Sequence, residues 1–183
     1  MRWIAALLMA GAAAALAGGD GPGRAVPAAP APPGAWRVDW GGNDPHRSWI
    51  VVSASASTAV GRLRPAWVMT YEPAPNGEWL LSVAYPAVAY IGQDGALHIQ
   101  ARQPMGDPDR LREPRAILNG PRASSWWPDS FRIAADGAVQ AQDQQPLGAV
   151  NLGTVSEQID PAIQTDAYDR LRREAAALAY PGG

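Results

Sequence analysis

The feature that most constrains the fold is a nineteen-residue stretch that occurs twice, displaced by 42 residues. One copy runs from Pro86 to Pro104 and the other from Pro128 to Pro146, and eight of the nineteen aligned positions are identical. Each copy carries an Asp-Gly pair between two runs of β-type residues, a pattern typical of a β-hairpin. We therefore expect one hairpin design used twice.

The apolar pattern selects the length of the hairpin loop. A two-residue Asp-Gly turn would place Ile91 opposite His98, whereas a three-residue loop gives both copies a consistent apolar face. The third residue of such a loop lies at positive φ, which predicts that conformation for Gly95 and Gly137. The pairs expected from this loop are Ile91 with Leu97, Ala89 with Ile99, Ile133 with Val139, and Phe131 with Ala141.

The opposite face of each hairpin carries polar side chains and is expected to face solvent. In the first copy these are Tyr90, His98 and Gln100, and in the second Arg132, Gln140 and Gln142.

The chain begins with a segment that resembles a signal peptide. Arg2 precedes an apolar run of about 14 residues, too short to span a bilayer, and Ala15-Leu16-Ala17 has the small-x-small pattern of a cleavage site. We expect residues 1–17 to be removed and the product to be periplasmic or secreted, with no membrane span after processing. Residues 18–34, rich in Pro, Gly and Ala, are expected to form a semi-extended linker.

Residues 35–183 are expected to form a single domain. Short β-type runs alternate with Gly, Pro, Asn and Asp, and the one strong amphipathic helix covers about residues 165–180, with Thr165 or Asp166 as its cap. The fold class predicted is mainly β at the α+β boundary. It comprises an antiparallel sheet, sandwich or small open barrel of about seven or eight strands, with two similar Asp-Gly hairpins and one C-terminal helix.

Composition excludes several functions. The chain has no cysteine, so it has no disulfide, thiol catalysis or cysteine-ligated metal. A net charge of -2 without a basic stripe gives no reason to expect nucleic-acid binding. No nucleotide-binding or catalytic motif is present, and two histidines without cysteine make a structural zinc site implausible, so we expect no cofactor.

Two groups of residues could support catalysis. Asp44, His46 and Ser48 are close in sequence, but triad members usually converge from different elements, and a capped turn explains the three residues equally well. Glu72 and Glu78 flank a hairpin loop, where glutamates are usually solvated, whereas a glycosidase pair needs a cleft and one desolvated acid.

Tryptophan is abundant, with eight residues against a single phenylalanine. Alternation predicts that four of them lie in the core: Trp36, Trp40, Trp67 and Trp79. It does not decide whether Trp49 lies in the core or at the surface. Trp126 and Trp127 are adjacent, so in an extended segment they point to opposite sides. We expect Trp127 to be buried and Trp126 to be exposed.

These observations favour an exported, non-enzymatic binding or interaction domain of the bacterial envelope. The partner would be an amphipathic small molecule or an envelope protein, and the ligand site expected from the sequence combines Trp126 with the face of Tyr90 and His98. The alternative is a small envelope hydrolase that uses His46 or the pair of Glu72 and Glu78.

Overall fold

The computed structural model describes residues 27–54, 62–103, 117, 130–141 and 151–179. The elements, in chain order, are β1 (Pro27–Pro30), β2 (Gly34–Trp40), β3 (Arg47–Val52), β4 (Arg64–Pro73), β5 (Trp79–Gly92), β6 (Leu97–Ala101), β7 (Ser130–Ile133), β8 (Ala138–Ala141), β9 (Asn151–Ile159) and a C-terminal helix, α1 (Thr165–Ala179).

Strands β2 to β9 form a closed antiparallel barrel. Each strand pairs with the next one along the chain, and β9 returns to pair with β2. This up-and-down order confirms the predicted mainly β, antiparallel fold with a C-terminal helix. The barrel is closed rather than open, because the first and last of its eight strands are neighbours. We call the end that carries the β4–β5 turn the upper end, and the end that carries the two Asp-Gly loops the lower end.

Apolar side chains fill the interior of the barrel, as expected for eight strands. They alternate with outward-facing residues along each strand, so that Val38 points inward between Arg37 and Asp39. Trp40 packs edge-on against Phe131, with ring centroids 5.7 Å apart. The large interior side chains are Trp36, Val38, Trp40, Ile50, Val52, Val68, Leu97, Ile99, Phe131, Ile133 and Val139.

Both Asp-Gly hairpins have the predicted register. Ile91 pairs with Leu97, and Ile133 pairs with Val139. Gly95 and Gly137 have φ values of 75° and 85°, as a three-residue loop requires. The β4–β5 turn has the same geometry, with a φ of 85° at Gly77. In each loop the Asp or Asn side chain accepts a hydrogen bond from the backbone N–H two residues on; the acceptors are Asn76, Asp94 and Asp136.

A bulge in β5 reverses the alternation that the sequence predicts. Thr70 pairs with Val83 but Tyr71 pairs with Leu81, so Ser82 is the extra residue on β5. Leu81 therefore packs outside the barrel, against the cluster beneath α1, whereas Tyr85 packs against the interior cluster. Alternation alone would put Leu81 and Tyr85 on one face, and the bulge separates them.

Helix α1 covers the outer face of β3, β4 and β5. Tyr168, Leu171 and Ala175 are buried against Val51 and Met69, and Trp49 and Trp67 pack at the margins of the same cluster. The Tyr168 hydroxyl donates a hydrogen bond to the Val52 carbonyl at 2.5 Å. These three residues form one apolar stripe along the helix, in agreement with the predicted amphipathic helix.

The beginning of α1 differs from the expected cap. The Gln164 carbonyl accepts the first helical bond, from the Tyr168 N–H, so Gln164 occupies the cap position. The Thr165 hydroxyl instead donates to the Pro161 carbonyl.

The folded domain begins before residue 35, the boundary expected from composition. Pro27–Pro30 forms β1, which pairs with the lower end of β5, and Ala31 is 1% exposed within the interior cluster. A proline-rich segment can take this position because a strand at an edge needs few backbone donors. Residues 1–26 lie outside the described residues, so processing after Ala17 stays a prediction.

Candidate functional site

The two hairpins align four side chains in a row on the outer surface of the barrel. Tyr90, His98, Arg132 and Gln140 occupy directly paired positions on β5, β6, β7 and β8. The Tyr90 and His98 rings stack, with centroids 5.2 Å apart and planes 9° apart. Arg132 Nε donates to Gln140 Oε1 at 2.9 Å. The row crosses four neighbouring strands at paired positions.

Tyr90 and His98 are not the solvent-facing pair that the sequence predicts. They are 2% and 3% exposed, and Gln100, whose side-chain nitrogen donates to the Tyr90 hydroxyl at 3.2 Å, is also buried. Residue Ile117, distant in sequence, packs on the same outer side of β5, against Val88. The prediction of a wet face is therefore wrong for the first hairpin.

Asp94 fixes the lower end of this row. His98 Nε2 donates to its carboxylate at 2.8 Å, the Ala96 N–H donates at 3.2 Å, and Arg132 forms an ion pair with it. Burial raises the pKa of Asp94, but the hydrogen bonds from His98, Ala96 and Arg132 outweigh burial and lower that pKa to about 2. The carboxylate is thus permanently ionised near neutral pH and holds the two hairpins together.

Of the predicted ligand site, the structure describes Tyr90 and His98. Tyr90 and His98 are neighbours, as expected, but their packing makes them part of the folded core of the hairpin pair. Trp126 and Trp127 lie outside the described residues, so the prediction for their burial stays open.

The residues considered for a triad do not converge. His46 Nδ1 lies 2.6 Å from Asp44 Oδ1, and the His46 N–H donates to the same oxygen at 2.9 Å, which is the geometry of a capped turn. Ser48 instead points into the barrel and is fully buried. Its hydroxyl oxygen accepts a hydrogen bond from Trp40 Nε1 at 2.9 Å and lies 3.0 Å from Thr70 Oγ1. A nucleophile in that position would have no access to substrate.

Glu72 and Glu78 are both exposed, as the sequence predicts. Glu78 Oε2 accepts a hydrogen bond from the Asn76 side chain at 2.8 Å and Glu78 N–H donates to the same residue, so this glutamate stabilises the turn. Neither carboxyl has the desolvated environment of a general acid.

The upper end of the β4–β5 hairpin carries two exposed apolar side chains, and one of them, Trp79, was predicted to lie in the core. Trp79 is 37% exposed and Leu80 is 50% exposed. Trp79 pairs with Pro73 and Leu80 with Glu72, so the two apolar side chains lie on opposite faces of the hairpin. Pairing of β3 with β4 ends at Tyr71, so this part of the hairpin extends beyond its neighbour. We call residues Glu72 to Leu80 the hairpin tip.

An arginine on β3 supports the outer face of the hairpin tip. The Arg47 guanidinium lies 4.1 Å from the centroid of the Trp79 ring, a cation–π contact. Arg47 Nε also lies 3.4 Å from Asp39 Oδ1, next to Arg37, which pairs with Glu157 at 2.7 Å. Trp79 is therefore held in place while part of its ring stays exposed.

One sequence signal could have identified this surface. Trp79, Leu80 and Leu81 are three consecutive apolar residues that follow an Asn-Gly pair after a single glutamate, and a strand with one solvent-facing side would alternate there. Consecutive apolar residues at the free end of a hairpin put an apolar group on both faces.

Within the described ranges, no group of three His, Asp or Glu side chains could hold a metal ion. No helix in the same ranges is long and apolar enough to cross a bilayer.

The fold and its surface define a closed, filled, up-and-down β-barrel whose exposed apolar side chains include those of a projecting hairpin tip. No family model, curated protein or solved structure matches the chain.

Proposed function

We propose that this protein is an exported, non-enzymatic interaction domain that binds a partner protein through its hairpin tip. The observation that carries the proposal is the exposure of Trp79 and Leu80 on opposite faces of a strand pair that extends beyond β3. Large apolar residues exposed together at a projecting end are typical of contact surfaces, and tryptophan is enriched at the centres of interfaces.

The filled interior supports a surface-binding role over a carrier role. Trp36, Trp40 and Phe131 pack in the barrel interior together with aliphatic residues. The polar side chains Ser48 and Thr70 within the barrel are hydrogen-bonded to each other. A barrel packed in this way acts as a rigid support for its loops.

Charge favours a protein partner over a lipid surface. Glu72 and Glu78 lie beside Leu80 and Trp79, and both carboxylates are exposed. Two carboxylates beside the apolar pair disfavour contact with anionic lipid head groups and match a partner that offers an apolar pocket with basic groups at its rim.

Site-specific photocrosslinking in the producing cell tests this proposal. A photoreactive amino acid at Leu80 should give a discrete adduct of fixed mass, and Trp79→Ser in the same chain should abolish it. The matched control places the same amino acid at Thr154, an exposed β9 residue outside the hairpin tip, and should give no such adduct. Equal adduct patterns from both positions, or an adduct to lipid alone, would contradict the proposal.

A further inference from the structure

The lower end of β5 has an edge that β4 leaves uncovered. β4 begins at Arg64, which pairs with Ala89, so the next three residues of β5 extend past it. β1 occupies this edge: Pro27 pairs with Gly92, Ala29 with Ile91, and Pro30 with Tyr90. The edge of β5 is thus completed by a strand that lies outside the barrel meander.

Among the described residues, few contacts hold β1. Two of its four residues are prolines, which have no backbone donor, and the ladder is irregular between Pro27 and Ala29. Arg62 Nη1 donates to the Pro27 carbonyl at 2.9 Å. The strand alternates between half-buried and exposed residues, and the buried Ala31 that follows it is the anchor in the interior cluster. A short strand of this kind is stabilised far less than the strands of the barrel.

The connection from β1 to β2 does not reverse direction. β1 and β2 run the same way, because β1 is antiparallel to β5, and three antiparallel steps separate β5 from β2. Pro32 and Pro33 restrict Ala31 and Pro32 to extended conformations. An extended hinge without a tight turn can lead β1, together with Ala31, out of its own barrel and toward a second one.

We propose that the edge formed by Tyr90 to Gly92, together with Arg62, is a strand-acceptor site whose partner is β1 of a second copy of this chain. The strand of a second copy has the same sequence and makes the same backbone pairs, so exchange replaces one set of contacts by an identical set. Its own β1 competes at an effective concentration in the millimolar range, so the exchange becomes measurable in concentrated protein. The site lies at the other end of the barrel from the hairpin tip and does not depend on the proposed function.

The absence of cysteine allows a direct test by disulfide trapping. A chain with Ala29→Cys is mixed with a chain with Ile91→Cys at increasing concentration under a thiol–disulfide buffer, and disulfide-linked heterodimer is measured by intact mass. The matched control replaces the second chain by one with Leu80→Cys, an exposed position at the upper end. We expect heterodimer to exceed the control by about tenfold or more, because pairing brings the thiols to a high effective concentration.

A variant with both cysteines in one chain shows whether β1 occupies the edge of its own β5. A single chain with both Ala29→Cys and Ile91→Cys should close its own disulfide in dilute solution, which shows that β1 occupies the edge and that the variant folds. A closed disulfide there, together with no heterodimer above control at any concentration, would overturn the proposal, as would failure of the single chain to close. A cysteine-bearing peptide of residues 27–34 gives one further outcome. If the Ile91→Cys chain traps this peptide but does not trap the Ala29→Cys chain, the site accepts free peptides, and the proposal of a second copy as partner is overturned.

Discussion

Asp94, in the loop of the first hairpin, forms an ion pair with Arg132 on the first strand of the second hairpin. The two Asp-Gly hairpins are therefore joined by side chains as well as by the β6–β7 ladder. The corresponding loop carboxylate of the second hairpin, Asp136, caps its own loop through the Ala138 N–H at 3.0 Å. The two loops have similar geometry and differ in which side chains the loop carboxylate binds.

The link through Asp94 predicts a loss of stability in acid. Its folded pKa of about 2 lies below the value of about 3.9 for an unfolded aspartate, so its contribution is fully present above about pH 4 and is lost as the pH falls through about 2. Denaturant unfolding from pH 5 to pH 2 should show a shallower pH dependence for Asp94→Asn than for the unchanged protein. Asp136→Asn is the control and should keep the original slope. Identical slopes for the unchanged protein and Asp94→Asn would refute the link.

Gly95 should tolerate asparagine but not valine. A Cβ atom there would meet nothing within 4 Å, so the cost comes from the φ of 75° alone. We expect Gly95→Val to lower the free energy of unfolding by more than about 1 kcal/mol, because a β-branched residue is strained at positive φ, and Gly95→Asn to cost less. Gly137→Val should behave alike, since the loops share one geometry. Chemical denaturation of the three variants checks this, and equal costs for valine and asparagine would contradict it.

Trp40 and Trp79 should differ sharply in their contribution to stability. Trp40 packs on Phe131 inside the barrel, so Trp40→Ala should cost about 3–5 kcal/mol. Trp79→Ala removes an exposed ring and its contact with Arg47, which should cost about 1 kcal/mol. Guanidinium denaturation of both variants is the measurement. A large loss with Trp79→Ala would mean that the hairpin tip is a core element.

The buried Ser48 hydroxyl should stabilise the fold through its hydrogen bonds. Ser48→Ala removes the acceptor for Trp40 Nε1 and the partner of Thr70, and should cost about 1–3 kcal/mol because these groups stay buried. Ser156→Ala, at an exposed hydroxyl that bonds Arg37 at 2.9 Å, is the matched control and should cost less. Thermal or urea unfolding distinguishes them, and a neutral Ser48→Ala would contradict the interior hydrogen-bond pair.

Removal of residues 1–17 is predicted by the N-terminal sequence alone. The small-x-small site ends at Ala17, directly behind the apolar run, so the product recovered from outside the cytoplasm should begin at Gly18. Intact mass decides this. A membrane-bound species that still contains Met1 would oppose the prediction of export.

The sequence was sufficient for features that depend on neighbouring residues. The register of both Asp-Gly hairpins follows from local alternation and from the need for glycine at positive φ, and both are confirmed. The stripe of α1 likewise depends on residues within one helix.

The rest depends on contacts between residues far apart in the chain. Nothing near Ser82 signals the bulge that turns Leu81 outward, because the extra residue is defined only against β4. The burial of Tyr90 and His98 depends on stacking between strands and on distant segments such as the one that carries Ile117. Exposure of Trp79 depends on β3 ending its pairing at Tyr71. The solvent-facing surface predicted for the first hairpin is wrong for these reasons, and the apolar hairpin tip was missed.

Closure of the barrel imposes an order on folding. Arg37 of β2 and Glu157 of β9 pair across 120 residues of sequence. Of the eight barrel strands, β2 emerges first during synthesis, and one of its edges stays open until β9 is available. An open edge invites pairing with another newly made chain. Arg37 and Asp39 give the outer face of β2 two charged side chains during that interval, a composition that discourages such mispairing. The ion pair with Glu157 then forms only when the correct strand arrives.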